Sequence, residues 1–329
     1  MPELLAPAGD FEKLEFAFLY GADAVYFGGQ DFSLRANAKN FSWEDIKKAT
    51  DYAHGLGKKV YVTVNIVFHD KDLDGLEEYL KYLDSINVDG IIASDIVVIK
   101  KVLELELHFS VCLSTQASLL NTRALKFWRS LGVTRVVLAR EASREEVKKI
   151  KDTGIEVETF IHGAMCTSFS GKCVLSNYIT LRDSNRGGCA QICRWDFYVK
   201  DKPNLTIMPK DLNMIPFIKD EIALGIDSFK IEGRMRSIYY VATVISCYRK
   251  MIDAALNDTL TPELEKYYLN ILNRCANRES VPQFYDKLPG VDEQYFNGRI
   301  EVSNQDFLGL VLEYDTKNKM VILESRNYF

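Results

Sequence analysis

The sequence predicts an α/β protein folded as a (β/α)8 barrel of the TIM type, and three observations carry that reading. Short β-branched apolar runs alternate with amphipathic, charge-rich stretches through the first 235 residues, as expected of strand and helix units wound around a parallel sheet. Eight such runs can be counted, and eight strands with their helices in about 250 residues is the size of this barrel. Helix punctuation agrees with the count. The expected strands are Glu3 to Pro7, Ala24 to Gly28, Lys59 to Val67, Gly90 to Ser94, His108 to Leu113, Arg135 to Ala139, Ile155 to Ile161 and Asp227 to Ile231. Apolar residues at helical spacing place helices at Phe11 to Tyr20, Trp43 to Leu56, Leu73 to Ile86, Thr122 to Leu131 and Arg144 to Lys151. Asp10, Ser42 and Ser143 stand where an N-terminal cap is wanted, and Gly21, Gly57, Gly132, Gly154 and Gly225 follow helical runs where a left-handed residue ends a helix. A doubly wound sheet is the rival, but its glycine-rich phosphate turn is missing after the first strand, where the chain reads Ala6-Pro7-Ala8-Gly9-Asp10.

The spacing breaks once. About 65 residues separate Ile161 from Asp227, far more than one helix requires. An insertion at the C-terminal end of a barrel strand sits on the active face. The barrel is therefore expected over residues 1–258 with an insertion at 163–210. Residues 259–329 then add a helix, Pro262 to Cys275, after the long helix Ile238 to Leu256, and the start of a small antiparallel β domain from Arg299-Ile-Glu-Val, Leu308 to Tyr314 and Met320 to Ser325.

Composition sets the class. The chain has 329 residues, 47% hydrophobic and 26% charged, which is a folded globular protein. Its 41 basic residues against 46 acidic ones give a net charge of −5, so a nucleic-acid partner would have to meet a local patch. The opening Met1-Pro2-Glu3-Leu4-Leu5 has no basic region, and no stretch approaches about 18 apolar residues. A cytoplasmic protein without a membrane partner is expected, with homo- or hetero-oligomerisation left open.

Seven cysteines are distributed unevenly. Cys112, Cys247 and Cys275 stand alone, while Cys166, Cys173, Cys189 and Cys193 fall within 28 residues of the insertion. In a reducing compartment that clustering points to metal ligation rather than disulfides. Four thiolates suit a [4Fe-4S] cluster or zinc. Structural zinc sites use two tight Cys-x2-4-Cys knuckles and only Cys189-x3-Cys193 qualifies, so the spacing favours the cluster; ordinary buried thiols are the bland alternative.

Strand ends supply polar groups for the barrel mouth: Asn65, Asp95, Gln116, Arg140, Glu141, His162, Glu232 and Arg234. Of these, Asn65, Gln116, His162 and Glu232 are the catalytic candidates. Alternation puts Lys230, Glu232 and Arg234 on one face. With Arg236, Arg35, Lys172, Arg182, Arg186, Arg194 and Lys210 they could build a positive patch despite the acidic total; solvated surface cations are the plainer alternative. None of the four histidines lies in a His-Glu-x-x-His motif, and the chain has no Gly-x-Ser-x-Gly elbow and no P-loop.

The stretch Glu158-x-Phe160-x-x-Gly163-Ala-Met-Cys166-x4-Gly171-x-Cys173-x-Leu175-Ser176 resembles the signature of the collagenase-like peptidase family. Glu3-Leu-Leu-Ala-Pro-Ala-Gly9, Gly21-Ala-Asp-Ala-Val-Tyr26, Ser114-Thr-Gln116 and Lys230-Ile-Glu-Gly-Arg234 extend the resemblance along the whole chain. Leu34-Arg35-Ala-Asn37-Ala-Lys-Asn40-Phe41 and Asn185-Arg-Gly-Gly-Cys189-x3-Cys193-Arg194-Trp195 are similar to the branch that carries out prephenate-dependent hydroxylation of the wobble uridine of tRNA. That resemblance implies a [4Fe-4S] cluster at Cys166, Cys173, Cys189 and Cys193, prephenate as cosubstrate and the tRNA anticodon region as partner. It also implies a fuller C-terminal β domain than this chain contains. On that basis Asn65 and Gln116 would read uracil, and Arg234, Arg236 or Arg35 would hold the anionic cosubstrate, with Asn37 and Lys230 also at the substrate. Lys172, Arg182, Arg186 and Arg194 would meet phosphates. A peptidase and a non-catalytic RNA-binding subunit are the alternatives.

Overall fold

The computed structural model describes residues 1–34, 40–200, 202–275, 278–295 and 307–326. Strands β1 (Glu3–Pro7), β2 (Ala24–Gly28), β3 (Lys59–Val64), β4 (Gly90–Ala93), β5 (Ser110–Leu113), β6 (Arg135–Val137) and β7 (Glu156–Gly163) run parallel, each bonded to the next. A closing strand, Ser228–Ile231, sets Ser228 opposite both Glu158 and Glu3, so the sheet is a closed eight-stranded barrel. Helices α1 (Phe11–Leu19), α2 (Trp43–Gly55), α3 (Leu76–Ser85), α4 (Ile96–Glu104), α5 (Thr122–Ser130) and α6 (Arg144–Lys151) alternate with the strands. The insertion carries α7 (Leu175–Thr180); α8 (Ile218–Ala223), α9 (Ile238–Leu256) and α10 (Pro262–Cys275) follow.

The helices begin where the caps stand. Asp10 accepts a hydrogen bond from Lys13 N at 3.0 Å, and Ser42 and Ser143 form reciprocal boxes with Asp45 and Glu146. Asp95, expected at the mouth, instead accepts from Val97 N at 2.9 Å as the cap of α4. The third strand stops at Val64, short of the expected Val67, because the next amides leave the ladder: Asn65 N and Ile66 N donate to Phe32 O.

Alternation along the strands separates two cores. Outward side chains such as Leu4, Val25, Phe27, Val62, Ile91 and Phe229 pack beneath the helices. Inward ones, Leu5, Ala24, Tyr26, Tyr61, Ile92 and Cys112, form a smaller inner cluster. The barrel interior is completed by charge. Arg135 contacts Glu3 at 2.6 Å, Glu156 at 2.9 Å and Glu158 at 3.4 Å, and Lys230 Nζ lies 2.6 Å from Glu158. Partnering on this scale offsets the desolvation of the buried charges.

Two pairings were invisible to periodicity because they are so short. Asp211–Asn213 runs antiparallel to the end of β7, with Leu212 opposite Gly163, and Ser280–Val281 pairs parallel with Asp211 and Leu212. Near the C-terminus Gly309–Asp315 and Met320–Ser325 form the expected hairpin, its turn held by the Asp315 carboxylate accepting from Lys317 N and Asn318 N. The strand expected from Arg299 lies outside the described residues. No helix among the described residues is long and apolar enough to cross a membrane.

Glu221 on α8 is buried, and its Oε2 makes no hydrogen bond among the described residues. Burial, aided by the charge of Asp220, pushes its carboxyl up to about 8. A folded-state value raised above the unfolded one means that the proton stabilises the fold fully below about 4.5 and that this contribution is lost as pH rises through about 8. Glu221→Gln is therefore expected to stabilise the protein at pH 8 by a few kcal/mol relative to its effect at pH 4.5. Urea midpoints at both pH values test this, and an equal effect at the two would refute it.

Candidate active site

The insertion crosses the C-terminal mouth of the barrel and roofs a cavity of about 190 Å³. Side chains from β2, β3, β4, β6, β7 and the closing strand line it, with Ser114 to Gln116 just after β5, and Cys166, Cys173, Cys189 and Cys193 all face it. Cys166 follows β7 directly. Gly163, at φ 121°, ends that strand where a Cβ would come within 2.6 Å of Glu232 O, so only glycine lets the two strand exits approach. Cys173 precedes α7, and Cys193 sits in the turn Ile192–Arg194.

The roof is tied down by its own polar groups. Ser170 N donates to Glu141 Oε1 at 2.7 Å, Asn185 Nδ2 donates to Cys173 O at 3.0 Å, and Ala190 N donates to Ser176 Oγ at 3.0 Å. Arg186 bridges the insertion to the loop after β3, donating to Asp72 Oδ1 at 2.6 Å and to Val67 O at 2.7 Å.

Two backbone amides point at sulfur, Ser168 N to Cys166 and Leu175 N to Cys173, each at 3.4 Å. Burial pushes the Cys166 thiol up against the opposing effect of the Ser168 amide, and burial pushes Cys193 up to about 11. The four cysteines share the lining of one cavity. Bare thiols of this kind stay protonated at neutral pH and lose their protons on binding a metal. No group of three or more described His, Cys, Asp or Glu side chains is placed to hold one metal ion. A single tetrahedral zinc would need four sulfurs within about 2.3 Å of one point. The all-sulfur donor set and its position around a cavity suit a polynuclear cluster, whose separate iron atoms let the sulfurs stand further apart.

The cavity floor and walls are polar in selected places. Asn65 Nδ2 donates to Gln116 Oε1 at 3.2 Å, forming a buried amide pair. Arg234 donates to Ser33 Oγ and Thr63 Oγ1 at 3.2 Å and to Leu34 O at 2.8 Å, holding that loop to the rim. Tyr26 Oη donates to Glu232 Oε2 at 3.2 Å, and burial, reinforced by the Glu232 charge, keeps the phenol protonated. Arg140 donates to Ala164 O at 2.6 Å and lies 4.0 Å over the Phe160 ring, with Glu232 3.9 Å away. Lys230 sits 4.3 Å from the centre of the Tyr26 ring while paired with Glu158.

Of the catalytic candidates, Asn65, Gln116 and Glu232 line the cavity and His162 does not. A register shift opposite Lys230 and Ile231 places His162 across from Ile231 and turns its ring outward. There it is buried against α9, with Nδ1 3.3 Å from Tyr248 Oη, and burial followed by the charge of Arg236 lowers it to about 3, so the ring is neutral. Arg236 also leaves the cavity: the closing strand ends at Ile231, and a turn closed by Arg236 N donating to Gly233 O sends its side chain to Asp211. Lys230, Arg234 and Arg194 line the cavity. Lys172 is exposed and does not, and Arg186 is used in the bridge to Asp72. Arg35 and Asn37 lie outside the described residues.

A second opening of about 500 Å³ adjoins the first, lined by Arg182, Arg194, Arg236 and Arg278 together with Trp195. Burial lowers Arg194 to about 10, with repulsion from Arg278 the next cause. Sequence reasoning missed Tyr26 and Arg278. Inward alternation near the end of β2 could have found Tyr26, whereas Arg278 arrives from a distant segment with no local signal.

The fold and site define a barrel enzyme scaffold whose mouth is closed by a thiol-bearing insertion. The sequence pattern of Peptidase family U32 matches residues 9–295, and the chain belongs to that family. It is 48% identical to "tRNA hydroxylation protein P1" of Bacillus subtilis over 342 residues, covering 100% of this chain and 81% of that protein. It is 38% identical to "Collagenase" of Porphyromonas gingivalis over 79% of this chain and 68% of that protein. Identity is 36% to "23S rRNA 5-hydroxycytidine C2501 synthase" of Escherichia coli, over 88% of this chain and 46% of that protein.

Proposed function

We propose that this chain is an RNA-modifying hydroxylase that forms 5-hydroxyuridine at the wobble position of tRNA, using prephenate as cosubstrate and a [4Fe-4S] cluster held by Cys166, Cys173, Cys189 and Cys193. The observation that carries the reading is that four cysteines and the Asn65–Gln116 amide pair face one cavity. The relatives named for tRNA and rRNA hydroxylation support the substrate class. Residues 1–258 would be the catalytic unit and 259–329 an appended one.

When bound, the cluster supplies electron-transfer chemistry at the barrel mouth. The chain's own residues then have separate tasks. A flipped uracil presents an imide edge, and the amide groups of Asn65 and Gln116 offer it donors and acceptors. Glu232, hydrogen-bonded to Tyr26 and near Arg140, can accept or return the proton that leaves carbon five. Arg140, whose buried Nε has no hydrogen-bond partner among the described residues, and Arg234 place two guanidinium groups where an anionic cosubstrate would sit. The insertion covers this space at the barrel mouth.

Mass spectrometry of tRNA nucleosides from a deletion strain is expected to show loss of the 5-hydroxyuridine-derived nucleosides and their return on complementation. Unchanged nucleosides would end this reading. The peptidase alternative keeps the support of the family name and of the collagenase relative. It predicts a colourless zinc protein that cleaves denatured collagen, but the cavity lining includes no histidine.

A further inference from the structure

The arginine-lined opening is unused by the reaction described above, and its charge is only partly compensated among the described residues. Four guanidinium groups, Arg182, Arg194, Arg236 and Arg278, border a space of about 500 Å³. The ion pairs there all fall on one carboxylate: Asp211 Oδ2 lies 2.6 Å from Arg278 Nη2 and 3.2 Å from Arg236 Nη2. Arg182 and Arg194 have no ion pair among the described residues, so four guanidinium groups face one carboxylate among those residues. Arg278 and Asp211 are buried, Arg194 and Arg236 are half-buried and Arg182 is exposed at the rim, so the cleft has a fixed base and an open edge.

Its position is informative. Cys189, Gln191 and Arg194 line both this opening and the cysteine-lined cavity, so a single wall separates the two. Gln191 holds the left-handed conformation at φ 57°, and its side-chain oxygen accepts from Arg194 Nη1, which fixes that guanidinium at the wall. Trp195 stands at the rim, 46% exposed, beside the arginines. A guanidinium cluster with an exposed indole is the combination that grips a sugar-phosphate backbone while a neighbouring base stacks. A small dicarboxylate would engage two of the arginines and leave the indole without a role.

We propose that the cleft of Arg182, Arg194, Arg236 and Arg278 is a phosphodiester subsite that seats the RNA backbone next to the nucleotide whose base enters the cysteine-lined cavity, an inference that rests on the RNA reading above. The subsite explains how an acidic chain binds a polyanion: it concentrates its positive charge at one place beside the chemistry.

The test uses the full chain and a fluorescein-labelled anticodon stem-loop, read by fluorescence anisotropy over a salt series. The double variant Arg182→Ala/Arg194→Gln is expected to weaken binding at least about tenfold and to lower the slope of log affinity against log salt by about two. Arg194→Lys, which keeps the charge, should retain most of the affinity. Lys148→Ala, on α6 and outside both openings, should leave the slope unchanged, and thermal unfolding confirms that each variant is folded. Wild-type affinity and slope in the double variant would overturn the proposal, as would absence of stem-loop binding by the wild type. A third outcome also overturns it: RNA binding unchanged while stabilisation by malonate is lost, which makes the cleft a small-anion site. Because binding is read without turnover, a failure of hydroxylation in the nucleoside assay is separable from a failure here.

Discussion

Under the proposed cluster assignment, replacing Cys189 with serine is expected to leave the protein without bound iron. Wild-type chain purified without oxygen should be brown and carry about four iron atoms per chain, the stoichiometry of one [4Fe-4S] cluster. The serine variant exchanges a soft thiolate for a hydroxyl that stays protonated at neutral pH, and the site loses one of four ligands. Disturbing only the outer partners of a metal ligand costs about 10- to 100-fold in affinity, so loss of a ligand should exceed about a hundredfold. The iron content and the broad visible absorption should fall together, and the hydroxylated nucleoside should disappear. Cys112→Ala is the matched control: that thiol lies in the barrel interior, away from the cavity lining, and should leave the iron at the wild-type level. Full iron in the Cys189 variant would remove that residue from the ligand set, and a wild type holding one zinc and no iron would remove the cluster.

Lys230→Met is expected to produce the largest loss of stability. Glu158 is fully buried, and its shortest ion pair is the 2.6 Å contact to Lys230; Arg135 is further, at 3.4 Å. Removing the ammonium leaves a carboxylate without its main partner in the barrel interior, which costs about 3–5 kcal/mol. The double variant Lys230→Met/Glu158→Gln removes both charges and should recover most of that loss. Urea unfolding of the two variants measures the difference. A single variant within about 1 kcal/mol of wild type would show that solvent or Arg135 already compensates Glu158. Lys230 also lines the cavity, so activity is expected to fall in both variants, and only stability separates them.

The barrel was legible because each of its strands is a self-contained signal. Ala24 to Gly28 and Glu3 to Pro7 are apolar runs bounded by turns, and the structure gives them those limits. Ser42 and Ser143 were legible as caps because a capping box is closed within four residues. The cysteine grouping was equally local, since the four ligand candidates belong to one excursion of the chain.

His162 was not legible. A strict period of two puts it on the face of Phe160, but the shift opposite Lys230 and Ile231 depends on how two strands 70 residues apart pair, which no local window contains. Arg236 was misplaced for a related reason: the strand ends before it, and the turn after Gly233 redirects its side chain.

By itself the amino-acid sequence determined the barrel, the place of the insertion and the group of four thiols, since each follows from spacing within one stretch of chain. Tertiary structure alone decided which polar side chains share the cavity, that His162 is neutral and turned outward, and that Arg278 joins Arg182, Arg194 and Arg236 in a second opening. The reason is physical: strand and helix signals are carried by neighbours in sequence, whereas side-chain direction and charge balance at a barrel mouth are set by register and by contacts between segments far apart in the chain.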